Sequence, residues 1–429
     1  MGHMKKNNFL VVSFLAVLVL SLLVFQAIHK TIRAQAKPDV IPDQYIVVMK
    51  DSVADPETVA NEHAKTYGLL IAHTYKNVIK GYSAVIPQAR LEKIKEDPRI
   101  EFISQDREVN ISAPKVARPG KPAPTSTPAQ AQKTPTGVRR IGVSSNLGTG
   151  IGVAVIDTGI DLSHPDLNVV ASKTCVVRTK SANDDNGHGS HVAGTIAALD
   201  NEIGVVGVAP EAKLVAVKVL DKRGSGTWSS VICGIDWVTA NAGFYNIKVA
   251  NMSLSGSGSS DDACGSVNND ALHKAICNST AQGVTYVVAA GNQAANASNS
   301  VPAAYNDTVI TVSALADSDG LAGGLGLATS YGADDTFATF SNYGGVVDLG
   351  APGVSIYSTW KSGGYNTISG TSMAAPHVAG TAALYLKINL DAGWEQVRND
   401  LVSGGEKLNF GHTDPSDLHP EPIVLTAGL

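Results

Sequence analysis

The stretch that most constrains the fold runs Gly370-Thr371-Ser372-Met373-Ala374-Ala375-Pro376-His377-Val378-Ala379-Gly380. Its small side chains suit a helix that is tightly buried, and the serine stands where that helix would begin. The first turn of a helix leaves backbone N–H groups without an intrahelical partner, so a hydroxyl at this position has a hydrogen-bond donor beside it. The pattern therefore predicts a buried helix with Ser372 as a candidate nucleophile at its N-terminus.

Two segments upstream supply a candidate acid and a candidate base. Asp157 ends the apolar run Val153-Ala154-Val155-Ile156, so we expect it at the carboxyl end of a buried strand, where open α/β sheets bind their ligands. His188 precedes Gly189 and a helical segment over 191–199, which places the imidazole beside a helix N-terminus. In such a set, the carboxylate orients the imidazole and the imidazole takes the proton of the hydroxyl. The hydroxyl oxygen can then attack an amide carbonyl.

A side-chain amide and a second histidine complete the candidate site. Asn292 follows the apolar run Val287-Val288-Ala289-Ala290-Gly291 and is a candidate donor to a developing oxyanion, although an asparagine after glycine is also typical of a turn. His188 and His191 could alternatively bind zinc. Because the chain has no His-Glu-x-x-His pattern and no evident third ligand, we expect His191 to pack behind the site instead.

The alternation of apolar runs and helical segments after residue 135 predicts the fold class. Runs that are apolar throughout belong to strands covered on both faces, and helices between them make the sheet parallel. We therefore expect an α/β domain with a doubly wound, mainly parallel sheet over 131–429. The strand-like runs are 152–156, 214–219, 248–253, 284–289 and 309–313.

The residues before this domain divide into a small domain and a linker. Residues 43–111 show the succession β-α-β-β-α-β, which predicts a split βαβ domain of the α+β, ferredoxin-like class, with Asp55 capping its first helix. Residues 113–135 are rich in Pro, Ala, Lys, Thr and Gln and lack apolar periodicity, and we assign 112–130 to a linker. They indicate an extended linker that is easily cleaved.

The first 36 residues are predicted to be a targeting segment. Met1-Gly2-His3-Met4 resembles a cloning remnant, and Lys5-Lys6, the apolar run 9–25 and Ala34-Gln35-Ala36 form a secretory signal with cleavage after Ala36. The alternative is a retained membrane anchor over residues 9–28, because the apolar run is near the lower limit of ~17 to 25 residues for a spanning helix. We expect secretion, with no membrane association once the signal is removed.

Composition limits the other function classes. The chain has 429 residues and a net charge of −5, a balance that gives no reason to expect a nucleic-acid partner. Its four cysteines would meet an oxidising compartment after export, which favours disulfides over buried thiols without excluding the latter. Cys264 and Cys277 are close in sequence and form the easier bridge, which leaves Cys175 with Cys233.

Four blocks in this order resemble the subtilase family of serine peptidases, and more closely its proteinase K-like branch, over residues 131 to about 410. The order Asp, His, Ser is that of subtilisin, whereas chymotrypsin and the α/β-hydrolases use other orders. The resemblance implies a subtilisin-like fold and an endopeptidase that works through an acyl-enzyme. The matching blocks are 157–161, 186–195, 290–292 and 369–380.

The same resemblance assigns the substrate cleft. Ser253-Leu254-Ser255-Gly256 and Ala289-Ala290-Gly291 resemble the two walls of the S1 pocket, and Gly224-Ser225-Gly226 resembles the edge that pairs with an extended peptide. Ser255 departs from the family, because a glycine is more usual at this position of the wall. The preferred side chain at P1 is therefore the least determined property of the cleft.

The family also binds structural calcium, and two sites can be transferred to this chain. Oxygen-only ligands suit Ca²⁺, although a solvated turn is the alternative for these residues. No organic cofactor is implied. The first site would use the carbonyls of Leu199, Ile203 and Val205 with the side chains of Asn201, Asp166 and Gln132, and the second would use Asp348 with the carbonyls of Asp307 and Val309.

The domain at 43–111 resembles the inhibitor-type propeptide of this family. By analogy it templates folding, closes the cleft as an intramolecular inhibitor and leaves when the linker is cut, with a mature start near Ala131. Protein or peptide substrates and a monomeric state are implied. Other classes remain conceivable: a peptide-binding relative would have lost a catalytic residue, and an esterase would carry a Gly-x-Ser-x-Gly elbow, which is absent here.

Overall fold

In a computed structural model of the protein, residues 40–111 and 131–429 are described. The predicted signal or anchor segment, its cleavage site after Ala36 and the whole of the predicted linker lie outside the described residues. None of the helices in the described part of the chain is long and apolar enough to cross a membrane.

Residues 40–111 contain the predicted succession of strands and helices. The four strands are neighbours in the order β2-β3-β1-β4, with β3 antiparallel to both β2 and β1. Asp55 caps the first helix by accepting the N–H of Glu57 at 3.1 Å. Val47, Tyr82 and Ile94 are fully buried between the sheet and its helices. The elements are β1 (Val40–Met49), α1 (Pro56–Tyr67), β2 (Leu70–Tyr75), β3 (Lys80–Val85), α2 (Gln88–Lys95) and β4 (Ile100–Asn110).

Residues 131–429 contain an eight-stranded sheet, and the predicted doubly wound, mainly parallel architecture is confirmed. The order is β14-β13-β11-β9-β5-β7-β6, with β15 also pairing with β13, and only β14 is antiparallel to its neighbour. The strands of residues 131–429, of which β8, β10, β12, β16 and β17 lie outside this sheet, are β5 (Gly152–Asp157), β6 (Val169–Thr174), β7 (Lys213–Lys218), β8 (Ser225–Thr227), β9 (Ile247–Met252), β10 (Gly256–Ser257), β11 (Thr285–Ala289), β12 (Ser300–Val301), β13 (Val309–Ala316), β14 (Thr336–Phe337), β15 (Leu349–Pro352), β16 (Ile356–Trp360) and β17 (Gly364–Ile368).

Helices cover both faces of this sheet, because its central strands are buried on both sides. α3, α4 and α7 pack on one face around Val192 and Val378, and α5 and α6 pack on the other around Ile235 and Ile276. The helices are α3 (Thr136–Ile141), α4 (His188–Ala197), α5 (Trp228–Tyr245), α6 (Ala271–Thr280), α7 (Thr371–Ile388) and α8 (Trp394–Gly404).

The disulfide pairing is the one favoured by sequence spacing. Cys175 is bonded to Cys233 and Cys264 to Cys277, and the described residues contain no free cysteine. The first bridge joins the loop after β6 to α5, and the second fastens α6 to the loop that precedes it.

Two carboxylates join the small domain to α5. Asp236 on α5 accepts the backbone N–H groups of Lys76, Asn77 and Val78 at 3.1, 2.7 and 3.0 Å. Asp106 on β4 accepts the N–H and the hydroxyl of Ser229, in the first turn of the same helix, at 3.1 and 2.5 Å. We call this pair of contacts the α5 anchor.

Candidate active site

The chain brings the three candidate catalytic residues to the carboxyl edge of the sheet. Asp157 is the last residue of β5, His188 is the first residue of α4 and Ser372 is the second residue of α7. All three are buried, with exposed fractions of 0%, 7% and 4%. Such burial keeps water away from charged groups and strengthens their interactions.

The aspartate fixes the tautomer of the imidazole. Both carboxylate oxygens of Asp157 lie 2.9 Å from Nδ1 of His188, and the N–H of Thr158 donates to Asp157 Oδ1 at 2.6 Å. A carboxylate accepts only, so Nδ1 carries the proton. Nε2 of His188 is therefore the nitrogen with a lone pair, which is the form a general base requires.

The surrounding charges raise the pKa of His188. Burial opposes protonation of the imidazole, but the carboxylate of Asp157, reinforced by its hydrogen bond and by Asp184, outweighs burial and moves the pKa above the ordinary value of 6.5. The protonated imidazole that forms during catalysis is thus stabilised where it stands.

Ser372 forms hydrogen bonds with Ser253, a residue of the first predicted S1 wall. Its hydroxyl donates to the carbonyl of Ser253 at 3.3 Å, and its own carbonyl accepts the hydroxyl of Ser253 at 2.8 Å. A hydrogen bond from Ser372 Oγ to His188 Nε2, which the sequence predicts, is not among the contacts of residues 40–111 and 131–429. A rotation about one side-chain torsion moves a serine hydroxyl between acceptors, and such bonds often form only once substrate is bound.

The amide of Asn292 is oriented by the residue before the serine. Its Oδ1 accepts both the N–H and the hydroxyl of Thr371, at 2.8 and 3.0 Å, so the opposite end of the amide presents the donor Nδ2. The N–H of Ser372 lies in the first turn of α7, where helix geometry provides no intrahelical acceptor. Two donors therefore stand beside the serine.

Asp184 is a supporting residue that the motif analysis missed. Its Oδ1 accepts the hydroxyl of Thr158 at 2.9 Å and the N–H of Gly187 at 2.8 Å, and its Oδ2 accepts the N–H of Ser190 at 2.9 Å. It thereby ties the turn after Asp157 to the start of α4, where His188 stands. A usable signal was present, because a carboxylate four residues before a helix start suits the unpaired N–H groups there.

Lys218 is a second buried group near the site that sequence reasoning missed. It pairs with Asp157 in the register of β7 and β5, and its side chain is 1% exposed. The ammonium donates to the carbonyls of Thr158 and Leu220 at 2.7 and 3.0 Å and to Asp185 at 2.7 Å. These bonds hold together the turn after Asp157, the loop before α4 and the loop after β7.

The histidine expected behind the site is there. Nε2 of His191 lies 2.9 Å from the carbonyl of Ile356, and the ring packs edge-on to Trp360. Burial lowers the pKa of His191 to about 3, so the ring is neutral. The zinc alternative gains no support, because none of the metal-like clusters among the described residues includes His188 or His191.

The end of β4 occupies the predicted substrate cleft. Asn110 and Ser255 exchange two backbone hydrogen bonds of 3.1 and 3.0 Å, and the N–H of Ile111 donates to the carbonyl of Gly224 at 3.0 Å. On the other side, residues 108–110 pair antiparallel with β8, with Val109 opposite Gly226. The small domain thus inserts a strand between the two segments assigned to substrate binding.

The second predicted wall lies against the serine helix. Ala289 ends β11, Ala290 is fully buried, and the N–H of Gly291 donates to the hydroxyl of Thr371 at 3.1 Å. Gly291 has a φ of +107°, and a Cβ there would come within 2.4 Å of Asn342, so a side chain would be both strained and obstructed. The strand, the turn and Asn292 are therefore positioned as one piece.

The first calcium hypothesis concerns Asp166 and the loop at 199–205. Asp166 is fully buried, its Oδ2 accepts the N–H of Val205 at 3.0 Å, and its Oδ1 has no hydrogen-bond partner. An orphaned carboxylate oxygen beside a loop of carbonyls suits a hard cation. Gln132 approaches the loop, but its Oε1 accepts the N–H groups of Asn201 and Glu202 at 2.7 and 2.9 Å.

At the second predicted calcium site, a cationic side chain, Arg398, lies near Asp348. Nη1 of Arg398 lies 3.9 Å from Asp348 Oδ1 and donates to the carbonyl of Asn306 at 2.8 Å. The other oxygen of Asp348 accepts the N–H of Thr311 at 2.8 Å. The guanidinium brings a positive charge towards Asp348, but burial still raises the pKa of Asp348 to about 6. The second calcium site, with Asp348 and the carbonyls of Asp307 and Val309, stays a prediction.

Known proteins share sequence with both parts of the described chain. A family model described as the subtilase family matches residues 148–415, and a model described as peptidase inhibitor I9 matches residues 44–112. Subtilisin DY of Bacillus licheniformis is 43% identical over 61% of this chain and 85% of its own length. The subtilisin-like serine protease Pen ch 13 of Penicillium rubens is 37% identical over 87% of this chain and 90% of its own.

A solved structure shares the fold as well. The crystal structure of a cold adapted subtilisin-like serine proteinase aligns with a TM-score of 0.56 and 35% sequence identity. The alignment covers 68% of this chain and 97% of the chain in that structure.

Proposed function

The chain belongs to the subtilase family of serine peptidases, and from this we propose that it is a secreted endopeptidase made as a self-processing zymogen. It carries a peptidase inhibitor I9 domain ahead of the peptidase domain. The observation that carries the proposal is the strand 108–111, which is hydrogen-bonded on both edges between β8 and Ser255. An extended peptide held in this way is bound as a substrate strand.

The proposed reaction starts with a rotation of the Ser372 hydroxyl from the Ser253 carbonyl towards His188. Nε2 of His188 takes the hydroxyl proton as Oγ forms a bond to the peptide carbonyl carbon, while Asp157 stabilises the imidazolium. The oxyanion is held by Nδ2 of Asn292 and the N–H of Ser372. His188 then gives its proton to the departing amine, and a water deprotonated by His188 hydrolyses the acyl-enzyme.

We propose that the first cleavage of the precursor falls close behind Ile111. Asn110 forms an antiparallel bridge with Ser255. Each following residue of the small domain's strand therefore lies opposite the preceding residue of the wall segment 253–256. Two further steps in this register reach Ser253, whose carbonyl accepts the hydroxyl of Ser372. A mature start near Ala131 then requires a later cut in the linker.

Incubation of the purified precursor tests this order. We expect the first large product to begin within the first few residues after Ile111 and products beginning near Ala131 to accumulate later. N-terminal sequencing of samples taken over time measures both. A first product that already begins at Ala131 would contradict the register, whereas a precursor that stays intact and inactive would contradict the proposed activity.

Replacing Asn292 with alanine should lower kcat by about 10²- to 10³-fold with little change in KM, the loss known for the equivalent amide in subtilisin. The amide acts on the charge of the transition state rather than on the bound peptide. Steady-state kinetics on a chromogenic peptide provides the measurement. Asn278→Ala, on the distant helix α6, is the matched control, and an equal loss in both variants would remove Asn292 from the mechanism.

We propose calcium at the first site as a structural ion. The unpartnered oxygen of Asp166 and the carbonyls of Leu199, Ile203 and Val205 would hold it, together with Asn201. Gln132 would join them only after giving up its bonds to the loop N–H groups. Such an ion would fasten the loop after α4, and thus the base of the helix that carries His188, without taking part in the reaction.

Export and a monomeric state complete the proposal. Two disulfides among the described residues support an oxidising destination, which agrees with the signal predicted for residues 1–36. Substrates would be proteins or peptides that bind as extended strands. Val109 is fully buried against the cleft, which favours substrates with an apolar residue at the corresponding position.

A further inference from the structure

Three carboxylates gather at a loop that is separate from the active site and from the two calcium hypotheses. Asp317 directly follows β13, Asp319 is two residues further on and Asp334 stands just before β14. One oxygen from each of them lies within 4.8 Å of the others. The cluster thus joins the two ends of the segment 317–335.

One of these carboxylates is only partly compensated for its burial. Asp317 is 2% exposed; one of its oxygens accepts the N–H of Gly320 at 2.9 Å, but Oδ2 has no hydrogen-bond partner. The hydroxyl of Ser318, beside it in the chain, is also buried without a partner. Two buried oxygens on consecutive residues, each without a hydrogen-bond partner, are costly unless a ligand meets them.

The neighbouring cations are engaged elsewhere. Arg140 binds Asp335 at 2.7 Å and Glu406 at 2.7 Å, so its charge is already shared between two carboxylates. Arg139 donates to the backbone carbonyl of Asp319, not to its carboxylate. In the described part of the chain, no ion pair involves Asp317, Asp319 or Asp334.

Hydrogen bonds from the backbone hold the other two carboxylates in place. Asp334 accepts the N–H of Ser318 and the N–H of Gly326, each at 2.7 Å, and Asp319 accepts the N–H of Leu321 at 2.9 Å. A Cβ at Gly326 would lie 2.3 Å from Ser318 Oγ and 2.7 Å from Asp334 Oδ2. The backbone therefore closes tightly around the oxygens.

We propose that Asp317, Asp319 and Asp334 bind a calcium ion that clamps the segment 317–335 to the ends of β13 and β14. Three carboxylates offer a hard divalent cation only oxygen ligands, and a site built from protein carboxylates suits Ca²⁺ better than Mg²⁺, which usually keeps several waters. Burial also raises the pKa of Asp317 to about 7, which shows how poorly the protein alone supports this charge. The site requires no assumption about peptidase activity.

Calcium binding to the full chain tests the proposal. Every protein carries Ser372→Ala to prevent self-digestion, is stripped with EGTA and is titrated calorimetrically with Ca²⁺ alone at about pH 9, where carboxylates are ionised. Asp319→Asn keeps the acceptor for Leu321 and should weaken one class of site by about tenfold or more, because it removes a charged ligand. Asp391→Asn, an exposed aspartate elsewhere, is the matched control and should change nothing.

Asp166→Asn separates this site from the one near Gln132. Its effect should add to that of Asp319→Asn, because the two positions belong to different sites. Binding by Asp319→Asn that matches the control in number and affinity of sites would overturn the proposal. A tighter response to Mg²⁺ than to Ca²⁺ at the Asp319-dependent site would overturn the choice of metal.

The melting temperature of Asp317→Asn gives a second and independent readout. In EGTA this variant should melt higher than its parent, because it removes an only partly compensated buried charge from a cluster of like charges. In excess Ca²⁺ it should melt lower, because it loses a ligand. A variant that is destabilised equally under both conditions would show that the carboxylate has a structural role without an ion.

Discussion

Replacing Ser372 with alanine is expected to lower kcat for a chromogenic peptide by about 10⁶-fold, the loss known for the equivalent change in subtilisin. Without the hydroxyl no bond to the substrate carbonyl can form, and the intact Asp157–His188 pair has no proton to accept. The same variant should remain an unprocessed precursor. Steady-state kinetics, for which the variant's mature form must be supplied by processing in trans, and gel analysis of the precursor measure the two effects.

The cleft itself should survive this change. Ser372 contributes to the wall mainly through its backbone carbonyl, which accepts the hydroxyl of Ser253 at 2.8 Å and is retained in alanine. Binding of a peptide should therefore be preserved while cleavage is lost. Ser403→Ala, on the exposed side of α8, is the matched control and should retain full activity. Undiminished self-processing by Ser372→Ala, with no other protease present, would refute the assignment of the nucleophile.

Replacing Asp157 with asparagine is the second large effect, about 10⁴-fold in kcat by comparison with other serine proteases. The carboxylate can only accept from Nδ1 of His188, whereas an amide can also donate to it through its NH₂ group. The imidazole can then turn to the tautomer with its proton on Nε2, the nitrogen that must receive the proton of Ser372. The loss therefore falls on kcat rather than on KM.

The pH dependence distinguishes this role from a loss of structure. His188 must be neutral to act as a base, so activity falls as the pH drops through its pKa, which lies above 6.5 in the native protein. Without the carboxylate of Asp157, burial dominates and the pKa of His188 falls, so the acidic limb of kcat/KM should move to lower pH. An unshifted limb in the Asp157→Asn variant would mean that another group governs the profile. Asp391→Asn serves as the control for charge.

The sequence predicts site residues that lie at the end of a strand or at the start of a helix. Asp157 ends a strand that is apolar throughout, and Ser372 begins a helix of small residues, so the position of each along its element follows from local pattern alone. The parallel sheet then brings strand ends to one edge, which explains why the fold class and the neighbourhood of Asn292 could be predicted together. The order Asp, His, Ser of the catalytic residues along the chain then indicated the family.

Features that depend on distant partners could not be read in this way. Asp184 joins two loops through five hydrogen bonds, and nothing in its own neighbourhood shows that Thr158 is one of the donors. Arg398 reaches Asp348 from a helix 50 residues further on, as their numbers show. The strand β4 extends to Asn110 although residues 104–108 are polar, because β8 pairs with residues 108–110. The local sequence does not predict that pairing.

The α5 anchor has a consequence for the life of the enzyme after maturation. Asp236 and Ser229 present the small domain with a surface that exists only when α5 is already wound, so binding there favours the native peptidase over its unfolded chain by mass action. Once the proposed maturation has removed that domain, this contribution to stability is lost. A mature peptidase that unfolds would then have to regain its fold without the contacts at Asp236 and Ser229.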